Sequence, residues 1–427
     1  MTIPGFNEVQ LVEKLSDHFS PSQEIRDPEK LLGREKYLTQ IRRSLASPGR
    51  HIFVFGERGV GKTSLAITAG KLATNESKNF IYVPCGQDST FSEIIAAIGK
   101  AVLNPKRALS GGGKSFGLGL NVFGQGGSVN YSDGDVATIS EPANNSEAYD
   151  VLRFVRSKLD NQIVVVIDEL DRIKNKDERS RFSELIKNVG SVVEDMRFVL
   201  CGIGANVDEL IGEHLSTGRM FEPVEVERLS QDNLWKIIED LARDMSVTIP
   251  RGQLIRVGII SDGFPHFVHL IGQCIFYELH DDPAEIRICT DQHFLRALKE
   301  ATQKAEPSLR KIYQMATEKT KNKRDYEEAL WALADRTSTR RQVTEIFDTS
   351  YKRIHEEHKT KQPQDCKSRL SKELLNNRLL RLREDSHANV LVGHGSGWFS
   401  FRENVMRGYV RLRAETLGIE LAPELTV

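Results

Sequence analysis

A chain of 427 residues is too long for one ordinary domain and has room for two to four. Its 39% hydrophobic and 28% charged residues give the balance of a soluble globular protein, which excludes a fibrous or wholly disordered chain. The formal net charge of -1 gives no whole-chain hint of a partner, so any electrostatic signal must be local. The N-terminus lacks a basic stretch leading into an apolar run, and no window approaches the ~18 apolar residues of a membrane span. A cytoplasmic location without membrane contact is expected. Cys85, Cys201, Cys274, Cys289 and Cys366 lie far apart with no CxxC pair, the pattern of reduced core thiols and not of a metal site.

The first strong signal is the apolar run His51-Ile52-Phe53-Val54-Phe55 followed by Gly56-Glu57-Arg58-Gly59-Val60-Gly61-Lys62-Thr63-Ser64 and then a helical pattern. A buried strand, a glycine loop matching GxxxxGK[ST] and a helix form the context of a phosphate-binding loop. Glycines let consecutive backbone N–H groups turn inward, and the positive end of the helix faces the same anion. Lys62 is expected on the β- and γ-phosphates of ATP and the Thr63 hydroxyl on Mg²⁺, with Ser64 beside it on the helix.

Between residues 108 and 135, alternating runs joined by glycines (Phe116 to Phe123, then Ser128 to Tyr131) predict a hairpin inserted in this domain. Ile163-Val164-Val165-Val166-Ile167-Asp168-Glu169 then reads as a strand buried on both faces and ending in two carboxylates. Asp168 is expected to hold Mg²⁺ and Glu169 to polarise the attacking water. A further strand, Arg197 to Ile203, leads to Gly204-Ala205-Asn206, which makes Asn206 a candidate for positioning that water.

Beyond it lies a helical region. Ser230 is placed to cap a helix carrying Leu234, Ile238, Leu241 and Met245; Gly263 ends a helix in a left-handed turn; Pro265 opens another through Phe267, Leu270, Ile271 and Cys274. Residues 304 to 413 carry 24 Lys/Arg against 15 Asp/Glu. Their pattern reads as a winged helix: a helix from Asp325 to Ala334, a second from near Ser338, and a basic third one with Leu370, Leu374, Leu375 and Leu379, bearing Lys367, Arg369, Lys372, Arg378, Arg381 and Arg383. A wing follows, from Val390-Leu391-Val392 through Gly395-Ser396-Gly397 into Trp398-Phe399-Ser400-Phe401.

Over roughly residues 30 to 300 these features resemble AAA+ ATPases of the origin-recognition/Cdc6 type and the related STAND signalling ATPases. Leu32-Gly33-Arg34-Glu35 resembles the family's GRE box, which implies that Gly33 and Arg34 flank the adenine. Ser216-Thr217-Gly218-Arg219 resembles the segment carrying an arginine for the γ-phosphate of a neighbouring subunit, which makes Arg219 the arginine-finger candidate. Asp262-Gly263-Phe264-Pro265-His266 resembles the GxP motif of STAND proteins, where Pro265 and His266 would face the nucleotide; the sensor arginine usual in AAA+ machines is missing there. The resemblance implies an α/β P-loop NTPase of AAA+ type with a helical lid and a C-terminal winged helix. The expected division is 1–30 as an N-terminal segment, 31–224 as the ATPase core, 225–303 as the lid and 304–427 as the winged-helix-like domain. It implies a slow, partner-stimulated ATPase using ATP and Mg²⁺, a homo-oligomer acting on DNA through the basic domain. The alternative is a STAND-type signalling or defence ATPase controlling a partner protein.

Overall fold

The computed structural model describes residue 3 and residues 5–74, 77–103, 129–132, 136–204, 220–318, 323–363 and 369–423. They divide into two compact units, one of Glu24–Glu57 and Gly61–Glu227, the other of Met1–Gln23, Arg58–Val60 and Arg228–Val427. The strands are β1 (His51–Phe55), β2 (Phe80–Pro84), β3 (Val129–Ser132), β4 (Val136–Ile139), β5 (Ile163–Asp168), β6 (Met196–Gly202), β7 (Phe221–Glu225), β8 (Arg340–Gln342), β9 (Leu391–Gly393) and β10 (Trp398–Phe401).

In the first unit five strands form a parallel sheet in the order β2-β5-β6-β1-β7. Every residue of β1, β5 and β6 is buried, because helices cover both faces of a parallel sheet and leave no wet side to demand alternation. β6 lies one residue earlier than its sequence pattern indicates. The two strands that the sequence pattern does not disclose, β2 and β7, are the sheet edges. Each is five residues long and carries a proline, Pro84 or Pro223, a residue tolerated where one side of the ladder is unpaired. Helices Phe91–Leu103, Asn145–Lys158 and Lys176–Val192 lay Phe91, Ile95, Val151, Phe182 and Leu185 against Phe53, Val165 and Phe198. His51 sits in this sheet with Nδ1 accepting from the Phe198 amide, and burial pushes its pKa down to about 3, so it stays neutral.

The hairpin of the insert pairs β3 with β4, Val129 facing Ile139. Val129 to Tyr131 of the expected second run therefore find their partner downstream of the expected segment, and Ser110 to Ser128 lie outside the described residues. Cys85, Cys201, Cys274 and Cys289 are free and buried; Cys366 lies outside the described residues. Among those residues no helix is long and apolar enough to cross a membrane.

The second unit is mostly helical. Helix Gln231–Asp244 begins after Ser230, whose backbone is extended as a cap requires, yet its hydroxyl accepts from the Asn233 side chain and makes no bond to the helix amides. Helix Arg251–Ser261 ends with Asp262 and Gly263 both left-handed, so the turn starts one residue before the glycine, and Pro265 opens helix Pro265–His280. Residues 7–19 belong here as well: Phe19 packs on His269 and Phe276, and a Cβ on Gly272 would stand 2.7 Å from its ring.

At the C-terminal side, helix Lys323–Ala334 leads into β8, so the expected start of a second helix near Ser338 is displaced. That helix begins at Val343 and runs through a π-helical stretch, Phe347–Tyr351, to Lys361. Helix Lys372–Arg381 then precedes the β9–β10 hairpin, and β10 pairs antiparallel with both β8 and β9. Leu370 and Arg369 precede this helix, and Lys367 lies outside the described residues. Leu375 and Leu379 are core, while Leu374 is 37% exposed. Arg378, expected on the basic face, is buried: Nη2 donates to Asp325 at 2.7 Å and Nη1 to the Tyr351 hydroxyl at 2.8 Å.

That pair generates a stability prediction. Asp325→Ala leaves a buried guanidinium without its counter-charge and should cost roughly 3–5 kcal/mol, against about 1 kcal/mol for Tyr351→Phe. Urea denaturation of both variants checks the ranking, and equal midpoints for all three proteins would refute it.

Candidate functional site

The glycine loop after β1 is shaped by backbone that other residues adopt poorly. Gly56 has φ 143°, and a Cβ there would stand 2.6 Å from the Val226 carbonyl oxygen; Gly61 has φ 96° as the residue preceding helix Lys62–Leu72. Lys62 is the first residue of that helix, and its Nζ donates to the carbonyls of Gly56 at 3.1 Å and Glu57 at 2.8 Å. Burial lowers its pKa, while the carboxylates of Asp171, Asp168 and Glu169 oppose that fall. Thr63 lies half-buried in the first helical turn, and Ser64 Oγ accepts from the Ile25 amide at 3.1 Å. Arg58, Gly59 and Val60 group with the second unit, where Arg58 pairs with Glu306 at 3.0 Å and Glu403 at 3.1 Å.

β5 delivers Asp168 and Glu169 to the same unit with different surroundings. Asp168 is 3% exposed; its Oδ1 accepts from the Glu169 amide at 2.8 Å and its Oδ2 from the Tyr82 hydroxyl at 3.1 Å. Glu169 is left-handed, with φ 56°, and its half-exposed carboxylate pairs with Arg172 at 2.8 Å. Asp171 accepts from the Ile203 amide at 2.8 Å and so ties the turn after β5 to the residue that follows β6. Tyr82, Asp171 and Arg172 escape sequence reasoning. Tyr82 lies on an edge strand with no motif, although the Asp-Glu-Leu-Asp run does mark Asp171.

The remaining expected residues fall in different places. Gly33 donates its amide to Glu35 Oε1 at 3.1 Å, and Arg34, 4% exposed, donates Nη2 to the Glu227 carbonyl at 2.7 Å. Burial holds the Arg34 pKa below its usual value. Pro265 and His266 stand in the second unit, where His266 donates Nδ1–H to the Pro21 carbonyl at 2.6 Å. Asn206 and Arg219 lie outside the described residues.

The donor set suits a magnesium nucleotide. A glycine loop opening a helix and a half-buried ammonium match phosphates, and a buried carboxylate together with the Thr63 hydroxyl matches a cation that keeps its water and phosphate ligands. Among the described residues no group of three or more His, Cys, Asp or Glu could hold a metal by itself. Mg²⁺ arriving with ATP keeps water and phosphate ligands and needs no protein-only cage.

Residues 30–199 match the family model described as the AAA ATPase domain. No curated protein matches the chain by sequence. Among solved structures it resembles the Walker-type ATPase PABY2304 of Pyrococcus abyssi at 15% identity, covering 91% of this chain and 99% of that one with a TM-score of 0.52. Cdc6p of Pyrobaculum aerophilum aligns at 17% identity over 95% and 98% with a TM-score of 0.45. The Orc1 protein of Aeropyrum pernix, solved in complex with DNA, aligns at 15% over 91% and 94% with a TM-score of 0.44. The first likeness speaks to fold, and the other two add nothing to it. The five-stranded parallel core, its glycine loop and the matched domain make this a chain built on a P-loop AAA+ fold, with an AAA ATPase domain over residues 30–199.

Proposed function

We propose that this chain is an ATP-binding and hydrolysing AAA+ switch that changes conformation or self-associates with nucleotide, slow alone and stimulated by a partner. One observation carries the reading: a half-buried Lys62 ammonium and the Asp168 and Glu169 carboxylates occupy the carboxyl ends of β1 and β5, with β6 between the two strands. Lys62 binds the β- and γ-phosphates, Thr63 and Asp168 hold Mg²⁺, and Glu169 polarises the water. Developing charge on the γ-phosphate calls for a further cation, and Arg219 of a neighbouring subunit is the proposed source. Asn206 is the proposed water-positioning residue, with Gly33 and Arg34 the proposed adenine-flanking residues.

We read the C-terminal module as a winged helix. Helix Lys323–Ala334, β8, the helix ending at Lys361, helix Lys372–Arg381 and the β9–β10 hairpin follow that order. DNA is its proposed ligand, through exposed cations: Arg340 lies over the Trp398 ring, 5.4 Å from its centroid, and Lys372, Arg381 and Arg383 are exposed. A second reading, a STAND-type ATPase that controls a partner protein in the cytoplasm without touching DNA, is favoured by a specific fact. Arg341, Arg378, Arg407 and Arg411 are buried and so are withheld from any DNA contact, although the acidic Asp325, Glu327, Glu328 and Asp335 are buried as well and leave the net basic excess unchanged.

The nucleotide reading is tested directly. Lys62→Ala should weaken ATP binding at least ~100-fold by calorimetry, because it removes the proposed charge partner of the β- and γ-phosphates; unchanged binding refutes the loop assignment. Glu169→Gln should keep ATP bound and slow phosphate release by at least ~100-fold. Wild-type turnover in that variant would remove Glu169 from catalysis. For the ligand, the triple replacement of Arg340, Lys372 and Arg381 by Ala should weaken DNA binding and flatten its salt dependence. If fluorescence anisotropy gives the same salt slope for both proteins, the partner-protein reading takes its place.

A further inference from the structure

We infer that Tyr82 is a positioning residue for the metal carboxylate, its phenol holding Asp168 in the one orientation that presents a free lone pair to Mg²⁺. The inference deepens the nucleotide reading above and rests on it. β2 and β5 run parallel with Tyr82 opposite Val166 and Pro84 opposite Asp168. Residues two apart share a face. Phe80 and Val166 both touch the position that a Cβ on Gly70 would take, so their face is the one covered by helix Lys62–Leu72. Tyr82 and Asp168 follow them onto that face, and the phenol reaches diagonally along the strand to Asp168 Oδ2 at 3.1 Å. Pro84, directly opposite, has no polar side chain to offer.

The chemistry of the donor matters as much as its place. A carboxylate has about four lone-pair sites. The Glu169 amide takes one on Oδ1 and the Tyr82 hydroxyl one on Oδ2, which fixes the plane of the group and leaves acceptor capacity on each oxygen. An arginine or lysine there would cancel the charge that a divalent cation needs. A phenol holds the carboxylate and leaves its charge intact.

The test titrates Mg²⁺ into protein with the non-hydrolysable analogue AMP-PNP and reads nucleotide affinity by calorimetry, with a parallel series in EDTA. For Tyr82→Phe the Mg²⁺ concentration giving half of the affinity gain should rise about tenfold, the scale for losing a hydrogen bond to a charged group. Affinity in EDTA should stay at the wild-type value, since the phenol acts only through Asp168. Asp168→Asn should abolish the Mg²⁺ response, and Tyr82→Phe added to it should change nothing further, the non-additivity expected of one shared pathway. A wild-type Mg²⁺ titration for Tyr82→Phe beside a lost response in Asp168→Asn overturns the inference and leaves the nucleotide reading standing. Weaker binding of Tyr82→Phe in EDTA also overturns it, by showing that the ring acts on the fold. An Asp168→Asn protein that keeps the full Mg²⁺ response overturns the reading of Asp168 and the inference with it.

Discussion

A lysine ammonium cut off from most of its water must be given acceptors, and the nucleotide-binding half of this chain is arranged around that demand. Lys62 takes two carbonyls from its own loop, those of Gly56 and Glu57, and feels the negative charge of Asp168, Glu169 and Asp171 across the ends of two strands. Carbonyl dipoles are weaker partners than a polyphosphate. The loop is therefore closed on a cation whose best ligand is a polyanion, and the glycines that let the backbone turn inward are the conformational condition for it. A side chain at Gly56 would collide with the Val226 carbonyl, so the loop also abuts the end of the edge strand β7.

The sheet order turns this local arrangement into a site. β6 separates the glycine-loop strand from the carboxylate strand, and Asp171 fixes the start of the segment after β6 by accepting from Ile203. Two adjacent carboxylates then acquire different characters from their neighbours alone. Asp168 is buried and doubly hydrogen-bonded by neutral donors, whereas Glu169 is half-exposed on a left-handed turn and ion-paired with Arg172. Orientation is fixed for the first. For the second, an exposed ion pair is worth little and can exchange its partner at small cost.

Charge in the C-terminal region follows another logic. Asp262, in the turn before Pro265, receives Arg228 at 2.8 Å, Arg411 at 3.2 Å and Arg407 at 3.4 Å. Burial beside other cations pushes the Arg407 pKa down to about 9. Arg353 with Asp335, and Arg378 with Asp325, pair in the same inward way. Such pairs specify how helices meet more than they add stability, since desolvating the partners offsets most of their attraction. The basic residues left outside, Arg340, Lys372, Arg381 and Arg383 among them, are a smaller set than composition indicates.

How much of this was legible in the amino acids depends on the range over which each feature is encoded. The glycine loop, the buried strands β1 and β5 and the turn at Pro265 are local: short-range backbone limits and runs of β-branched residues mark them without reference to the rest of the chain. The edge strands β2 and β7 are short and proline-bearing, so pairing, and not propensity, makes them strands. Ser338 illustrates the same limit, because the segment after it becomes β8 only when β10, some sixty residues on, pairs with it. Side-chain fate is more distant still. Arg369, Arg378 and Arg381 read alike in sequence, and only tertiary packing buries the middle one on Asp325. Likewise the sequence alone places Asp168 at the end of a strand, while the phenol that orients it comes from an edge strand 86 residues earlier. Local sterics determined the nucleotide loop; long-range pairing and burial decided which charged groups keep their water and which are held in place.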